Sequence, residues 1–565
     1  MTNSKGYGVV YTPDSLSEYV ANLLIEEFNK DLTVDTFPIT SLTVLDPACG
    51  EGALLSAAHK AIRFQHSKLS FRLIGIDIET NVIKSNRGRF DRSKYAFFAN
   101  DALLPSKTMS PVKFWNSKGI NPTLIIANPP WSSEKLYNKK ILSDAGYQFD
   151  VGQYDSYVLF IELCLKLLND DGYMALIIPD SIFSSENCEL RKYLAENTQL
   201  RVISRLGEKL FPGVNRATTV LVVKKAPPTD TSKTTCFRLT TALRKSYLAG
   251  ETTLLNSHKQ YFHMVLQKRF NENPGYVFDI DTQQAEESLL RKMEGMAIKW
   301  NEIFHFGRGV ELSKSGMIVT CPNCGMAQGY SKKQYESGEK RCTKCGEIIE
   351  VSQQTSTKII DTVGHRGYKK IYVGENLHRY EITGHSYVKM GVPGINYKDE
   401  KLYEPPKILI RKTGLGINAC IDYGSTYISQ TVYSCNYLNP YNAVPLEYYL
   451  GVLNSRVLYY YYLKKYGENE WKSHPYFTKE IVFSLPIPKV TEINSHLCNR
   501  IAEKVISIKS NYSRETDLEI EKLVFALYGL SADEIDMVKA EINQLPDLGA
   551  INHMKIDEEE LCLDI

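Results

Sequence analysis

Between Leu42 and Lys225, short β-branched runs alternate with helical stretches, and polar residues fall at the carboxyl ends of the first four runs. The candidate strands are Leu42–Asp46, Leu73–Asp77, Tyr95–Asn100, Leu124–Asn128, Met174–Pro179, Val202–Leu206 and Thr218–Lys224. This alternation predicts the α/β class, with a doubly wound, Rossmann-like mixed sheet. In such a sheet, ligands bind outside the carboxyl ends of the strands. The spacing therefore nominates a site before any motif is considered.

The first run ends in Asp46-Pro47-Ala48-Cys49-Gly50-Glu51-Gly52, and a helix is expected from Ala53. Two glycines permit a tight turn and a close approach of backbone to a ligand. A glycine turn alone fits nucleotide binders and structural turns equally well. The residues that follow sharpen it. Asp77 ends the second run, where a carboxylate can accept both hydroxyls of a ribose. Asp101 follows the third and can accept from an adenine amino group. Either aspartate alone also reads as a helix cap or turn residue.

The fourth run ends Asn128-Pro129-Pro130-Trp131. Two prolines fix φ and remove two backbone donors, leaving a stiff turn whose carbonyls point outward. An aromatic amine is a poor nucleophile because its lone pair is delocalised into the ring. It becomes competent when two acceptors engage its hydrogens. The Asn128 amide oxygen and the Pro129 carbonyl can do this while Trp131 stacks on the base. No strong general base is required, since the proton becomes acidic once the methyl group has arrived.

In this order, Asp46-x-x-x-Gly50-x-Gly52, Asp77, Asp101 and Asn128-Pro-Pro-Trp131 resemble the adenine-N6 DNA methyltransferases of the gamma arrangement, as in type II, Eco57I-like restriction–modification systems. Upstream, Gly8-Val-Val-Tyr-Thr12-Pro13 is similar to the family's N-terminal motif, whose threonine helps enclose the methionine part of S-adenosylmethionine. Downstream, Asp155-Ser-Tyr157-x-x-Phe160 and Gly172–Pro179 resemble its later core motifs. Leu206-Gly-Glu-Lys-Leu-Phe211-Pro212 resembles the segment whose aromatic residue stacks on the far face of a flipped adenine. The resemblance implies S-adenosylmethionine on Thr12, Asp46, Pro47, Ala48, Cys49, Gly50, Gly52, Asp77 and Asp101. It implies catalysis by Asn128, Pro129, Pro130, Trp131 and Phe211. A target amine inside a duplex cannot reach a buried methyl donor, so the base must leave the stack. Trp131 and Phe211 would then hold it from two sides. The fourth position of the tetrapeptide is more familiar as Tyr or Phe, and Trp preserves the stacking surface.

A boundary is expected at the polar, proline-bearing stretch Ala226–Lys233. The expected divisions are 1–225 for catalysis, 226–300 as a connecting region, 301–490 for target recognition, and 491–565 as a helical segment with an acidic tail. The recognition region is expected to be α+β and to contain a zinc ribbon at 317–350. There Cys321-Pro-Asn-Cys324 and Cys342-Thr-Lys-Cys345 are separated by 17 residues, a spacing that suits a structural, tetrahedral zinc. Redox pairs are the alternative. The polar loop between the pairs reads either as a DNA contact or as a solvated hairpin. Phe306–Val310, Tyr372–Tyr380, Pro406–Gly414, Leu453–Ser455 and Leu485–Pro488 resemble recognition regions attached to this family. Within them, Arg308, Arg379, Arg411 and Lys412 lie in Gly- or aromatic-rich contexts that suit phosphate or guanine contacts. The run Tyr459–Tyr462 reads as packing before stacking, and 515–543 as helix with Leu523, Val524, Leu527 and Leu530 on one face.

Net charge is only +2, but residues 541–565 carry seven acids and one base, which leaves a positive body compatible with phosphate binding. No apolar run is long enough for a membrane span, and the polar start is no signal peptide. A cytoplasmic location is expected, with the eight ungrouped cysteines reduced. Double-stranded DNA is the expected partner, together with a separate restriction nuclease or defence subunit. The sole Glu-x-Lys triplet is Glu470-Trp-Lys472, no Asp lies between Asp422 and Lys472, and the motifs begin near residue 8, so no cleavage by this chain is expected. Two rival readings stand beside this one: an RNA adenine methyltransferase, and a non-catalytic specificity protein on a methyltransferase scaffold. The intact Asp46, Gly50, Asp77, Asp101 and Asn128 argue against the second.

Overall fold

A computed structural model of the chain describes residues 12–32, 42–131, 137–149, 155–211, 216–312, 316–439, 441, 444–467, 477–545, 547, 549 and 551–556. The expected motif residues Gly8–Tyr11 and Pro212, the Glu470–Lys472 triplet, Cys562 and the end of the acidic tail lie outside these. The chain divides into two units, residues 1–285 with 464–472, and residues 286–463 with 473–565. None of the described helices is long and apolar enough to cross a membrane.

The first unit is built on a nine-stranded sheet. Its strands are β1 (Leu42–Asp46), β2 (Phe71–Asp77), β3 (Tyr95–Ala99), β4 (Leu124–Ala127), β5 (Tyr173–Pro179), β6 (Gln199–Gly207), β7 (Thr218–Lys224), β8 (Lys233–Arg238) and β9 (His263–Leu266). The spatial order is β3-β2-β1-β4-β5-β7-β6-β8-β9. Neighbours from β3 through β5 are parallel, and β7 runs antiparallel to both β5 and β6. Chain order reverses between β1 and β4, which opens a crevice at their carboxyl ends.

Helices α1 (Asp14–Lys30), α2 (Ala53–Gln65), α3 (Thr80–Arg89), α4 (Pro111–Ser117), α5 (Lys139–Asp144), α6 (Ser156–Leu167) and α7 (Cys188–Asn197) flank this sheet. Strands covered on both faces read as continuous apolar runs. In β1, Val44 packs into a core with Leu24 of α1 and Leu55 of α2, whereas the next residue, Leu45, packs into a core with Trp115 of α4 and Leu159 of α6. That alternation makes the unit three-layered and fixes which loops reach the crevice.

The expected connecting region 226–300 is in part sheet. Strand β8 pairs in parallel with β6, and β9 pairs antiparallel with β8, so residues 233–266 extend the same sheet, whereas residues from 286 onward belong to the second unit. Thr234, Thr235, Cys236 and Phe237 are buried, and their modest hydrophobicity after Pro227-Pro228 disguised a strand.

The second unit holds a four-stranded sheet of Phe304–Arg308, Val432–Tyr437, Lys407–Arg411 and Ala419–Asp422, and another of Ile360–Asp361, Ser386–Lys389, Tyr368–Tyr372 and Tyr427–Ile428. The paired cysteines lie in the turns between short strands, Cys321 and Cys324 between Met317–Thr320 and Ala327–Gly329, Cys342 and Cys345 between Glu339–Arg341 and Ile348–Glu350. The expected helix over 515–543 is two helices, Arg514–Tyr528 and Ala532–Asn543, because Gly529 adopts φ +60° and ends the first. Leu530 therefore lies between them rather than on a shared face. The terminal helices belong to the second unit instead of forming a separate segment: Arg456 contacts Asp517 at 2.9 Å and Glu521 at 3.2 Å, all three buried. Arg379, expected as a DNA contact, is committed to the same network, 2.6 Å from Asp517 and donating to the Asn454 carbonyl at 2.7 Å. Tyr459–Tyr462 are fully buried, in keeping with packing.

Candidate active site

A cavity of about 240 Å³ opens at the carboxyl ends of β1 to β4. Every cofactor and target residue expected from the sequence lines it except Gly52, which borders a more open neighbouring hollow. Its walls carry Asp14, Asp46, Glu51, Asp77 and Asp101, and no Lys, Arg or His among the described residues. A cavity lined this way favours a cationic ligand.

The glycine turn is built from backbone. Gly50 and Gly52 hold φ of +48° and +82°, conformations that other residues rarely adopt. A Cβ on Gly52 would also sit 3.0 Å from the Phe90 ring. The Gly50 N–H donates to Asp77 Oδ2 at 2.8 Å, and the buried Asn86 donates to the Gly50 carbonyl at 2.8 Å. Asp77 Oδ1 accepts from the Glu79 N–H at 2.9 Å. Asp77 thus anchors the glycine turn as well as facing the cavity.

Asp46 is almost fully buried and accepts from the Ala48 N–H at 3.0 Å. Burial pushes its carboxyl well above the ordinary carboxylate range; the Ala48 N–H opposes this, and the neighbouring Asp77 adds to it. A bound cation would lower it again. Asp101 Oδ1 accepts from the N–H groups of Leu103 and Leu104, and its Oδ2 accepts from the Tyr137 hydroxyl at 2.9 Å.

Each residue of the tetrapeptide except the first proline is held by a partner remote in sequence. Asn128 Nδ2 donates to Thr12 Oγ1 at 3.1 Å, directing the amide oxygen the other way. Ser156 Oγ donates to the Pro130 carbonyl, and Arg216 Nη1 donates to the Trp131 carbonyl at 2.8 Å. The Trp131 indole N–H donates to the Ile177 carbonyl of β5 at 3.3 Å.

Trp131 and Phe211 meet, but not as two parallel plates. Their centroids are 5.5 Å apart and their planes stand at 88°, edge to face, with Phe211 only 3% exposed. A base cannot lie between rings so arranged. Stacking on both sides requires Phe211 to turn or withdraw.

Asn86, Tyr137 and Arg216 belong to none of the sequence motifs, and Ser156 sits inside Asp155-Ser-Tyr157-x-x-Phe160 without a role of its own. Each acts on a backbone or carboxylate group far along the chain, and no local pattern marks that.

In the second unit, Cys321 Sγ lies 3.6 Å from Cys345 Sγ, and Cys324 Sγ 3.7 Å from Cys342 Sγ, with all four sulfurs within 4.8 Å of one another. Gln328 Nε2 donates to Cys342 Sγ at 2.9 Å. Of the expected recognition cations, Arg308 is exposed and pairs with Glu311 at 2.9 Å, and Arg411 donates to the Thr413 carbonyl at 2.6 Å. Lys412 stands 5.8 Å over the Tyr433 ring.

Comparison with known proteins agrees with this architecture. The family model described as N-6 DNA Methylase matches residues 1–288, just over half of the chain, and that of the TaqI-like C-terminal specificity domain matches residues 369–487. The type II methyltransferase M.BanIII of Aneurinibacillus aneurinilyticus is 28% identical over 226 residues, 38% of either chain. The methylase subunit of the type I restriction enzyme MpnII of Mycoplasma pneumoniae is 27% identical over 39% of this chain and 41% of its own. The chain thus spans about two fifths of the length of these curated relatives. The structure of the ATP-dependent type ISP restriction–modification enzyme LlaBIII bound to DNA shares the fold, with a TM-score of 0.52 at 10% identity over 91% of this chain and 40% of that one. By the match over residues 1–288, and with the strand order and cavity that those residues build, the chain belongs to the N-6 DNA methylase family.

Proposed function

We propose that this chain transfers a methyl group from S-adenosylmethionine to the N6 amine of an adenine flipped out of double-stranded DNA, as the modification component of a restriction–modification or related defence system. The observation that carries this reading is the single acid-lined cavity joining the glycine turn, Asp77 and Asp101 to Asn128-Pro129-Pro130-Trp131. The acidic walls suit a sulfonium cofactor, whose positive charge disappears on transfer. Thr12, Asp46, Pro47, Ala48, Cys49 and Gly50 would line the methionine end, Asp77 the ribose and Asp101 the adenine amine, while Gly52 shapes the turn.

The target amine would donate its two hydrogens to the Asn128 amide oxygen and the Pro129 carbonyl. S-adenosylmethionine held there would supply the methyl group, which the amine lone pair would take as the S–C bonding electrons pass to sulfur, and the surplus proton would leave to solvent. Trp131 provides the stacking face, and Phe211 closes the far side once it rotates from its edge-on position. Pro130 keeps the turn stiff.

The second unit would read the target sequence, and its four cysteines would hold a structural zinc. A tetrahedral zinc with bonds of about 2.3 Å to sulfur requires S···S edges of about 3.8 Å, and the separations of 3.6 and 3.7 Å fit that. A separate nuclease would complete the system, and the protein would act in the cytoplasm. The test is transfer of a labelled methyl group to duplex DNA, with N6-methyladenine as the product. A chain that binds the cofactor but labels RNA in place of DNA would replace this reading.

A further inference from the structure

Three carbonyls belong to the stiff turn Pro129-Pro130-Trp131. Ser156, at the first position of α6, donates to that of Pro130, and Arg216, just before β7, donates to that of Trp131 at 2.8 Å. The Pro129 carbonyl has no hydrogen-bond donor among the described residues, and Pro129 lines the cavity. Two clamps therefore leave one acceptor for a ligand.

Arg216 does more than close one hydrogen bond. Its other terminal nitrogen pairs with Asp155, which directly precedes α6, and its guanidinium carbon lies 5.8 Å from the centre of the Trp131 ring, within reach of a cation–π contact. One side chain thus joins the Trp131 backbone, the Trp131 ring and the α6 terminus from which Ser156 reaches Pro130. The Arg216 side chain is 39% exposed and that of Asp155 12%. An ion pair so placed adds little to folding stability, so its consequence lies in geometry.

We propose that Arg216 is a positioning residue for methyl transfer, which with Ser156 fixes the turn so that the Pro129 carbonyl and the Trp131 face meet the target base. This rests on the reading of the cavity given above. It assigns Arg216 no contact with substrate and no share in proton transfer. A misplacement of about 1 Å in such a turn is enough to cost about a hundredfold in rate.

The test compares wild type with Arg216→Ala, Arg216→Lys and Ser156→Ala. For each, the S-adenosylmethionine dissociation constant, the single-turnover rate of methyl transfer to duplex DNA, and acrylamide quenching of Trp131 emission are measured, the last as the difference from Trp131→Phe. Arg216→Ala is expected to leave cofactor binding within threefold, slow transfer at least tenfold, and make Trp131 more quenchable. Arg216→Lys recovers part of the rate, and Ser156→Ala shifts rate in the same direction as Arg216→Ala. An unchanged transfer rate in Arg216→Ala overturns the proposal, as does a loss matched by equal losses of cofactor binding and melting temperature. If wild type transfers no methyl group to DNA, the functional reading fails by itself. Trp131 quenching then decides the clamp: no change on losing Arg216 overturns it.

Discussion

Asn128 Nδ2 donates to Thr12 Oγ1 at 3.1 Å, tying the start of the Asn128–Trp131 turn to the residue that precedes α1 by two positions. The bond sets which way the Asn128 amide faces, and so where its oxygen is offered. Thr12→Val keeps the side-chain shape and removes the acceptor. Loss of one such bond costs about 1 kcal/mol, so the transfer rate is expected to fall about fivefold with a smaller change in cofactor affinity. Rapid-quench kinetics and titration calorimetry measure the two separately. A rate equal to wild type would mean that the amide is oriented by something else.

The edge-to-face pair of Trp131 and Phe211 predicts different outcomes for the two rings. Phe211 is buried, and its replacement by Ala is expected to destabilise the fold by about 3–5 kcal/mol, visible in denaturant titrations. Either replacement should weaken capture of the flipped base, since base–aromatic stacking contributes about 1–3 kcal/mol, but Trp131→Ala should do so with the smaller loss of stability. Duplexes with 2-aminopurine at the target position report this as a lost fluorescence increase. Equal stability losses in both variants would contradict the distinction.

Four sulfurs within 4.8 Å of one another predict one tightly held zinc per chain. Metal analysis of purified protein should find it, and Cys321→Ser should release it and lower the melting temperature. Removal by chelator is expected to impair DNA binding before cofactor binding, since the cysteines lie in the second unit. Protein purified without zinc, and as stable as the Cys321→Ser variant, would dismiss the site.

His258 gives a stability term with a defined sign. It is buried, with Nδ1 2.8 Å from the Tyr19 hydroxyl; burial, with Lys30 and Lys259 nearby, pushes its imidazole down to about 4. An unfolded histidine titrates near about 6.5, so the unfolded chain binds the extra proton first. The contribution is full above pH 6.5 and is lost as pH falls toward 4, at most about 3 kcal/mol. His553, also pushed down to about 4 by burial, acts in the same window. Thermal unfolding from pH 7 to 4 should show the decline, and His258→Gln should flatten part of it. An identical slope in that variant would remove His258 from the account.

Much of the first unit is legible in the chain. Strands buried on both faces spell continuous apolar runs, and their ends carry Asp46, Asp77 and Asn128, so the cavity follows from order alone. Strand β8 was not legible, because Lys-Thr-Thr-Cys-Phe-Arg has little apolar signal and acquires its place from pairing with β6. Arg379 and Arg308 stand in similar local contexts, yet one is locked to Asp517 and the other is exposed. That difference is set by residues far along the chain. The same holds for Ser156 and Arg216, whose targets are carbonyl oxygens that every residue carries.

The most direct test of the central claim is methyl transfer from labelled S-adenosylmethionine to duplex DNA by wild type and by Asn128→Ala, with cofactor binding measured on both. N6-methyladenine is expected with wild type, and none with a variant that still binds the cofactor about as tightly. Transfer undiminished in Asn128→Ala, or methyl groups found only on another base atom, would contradict it.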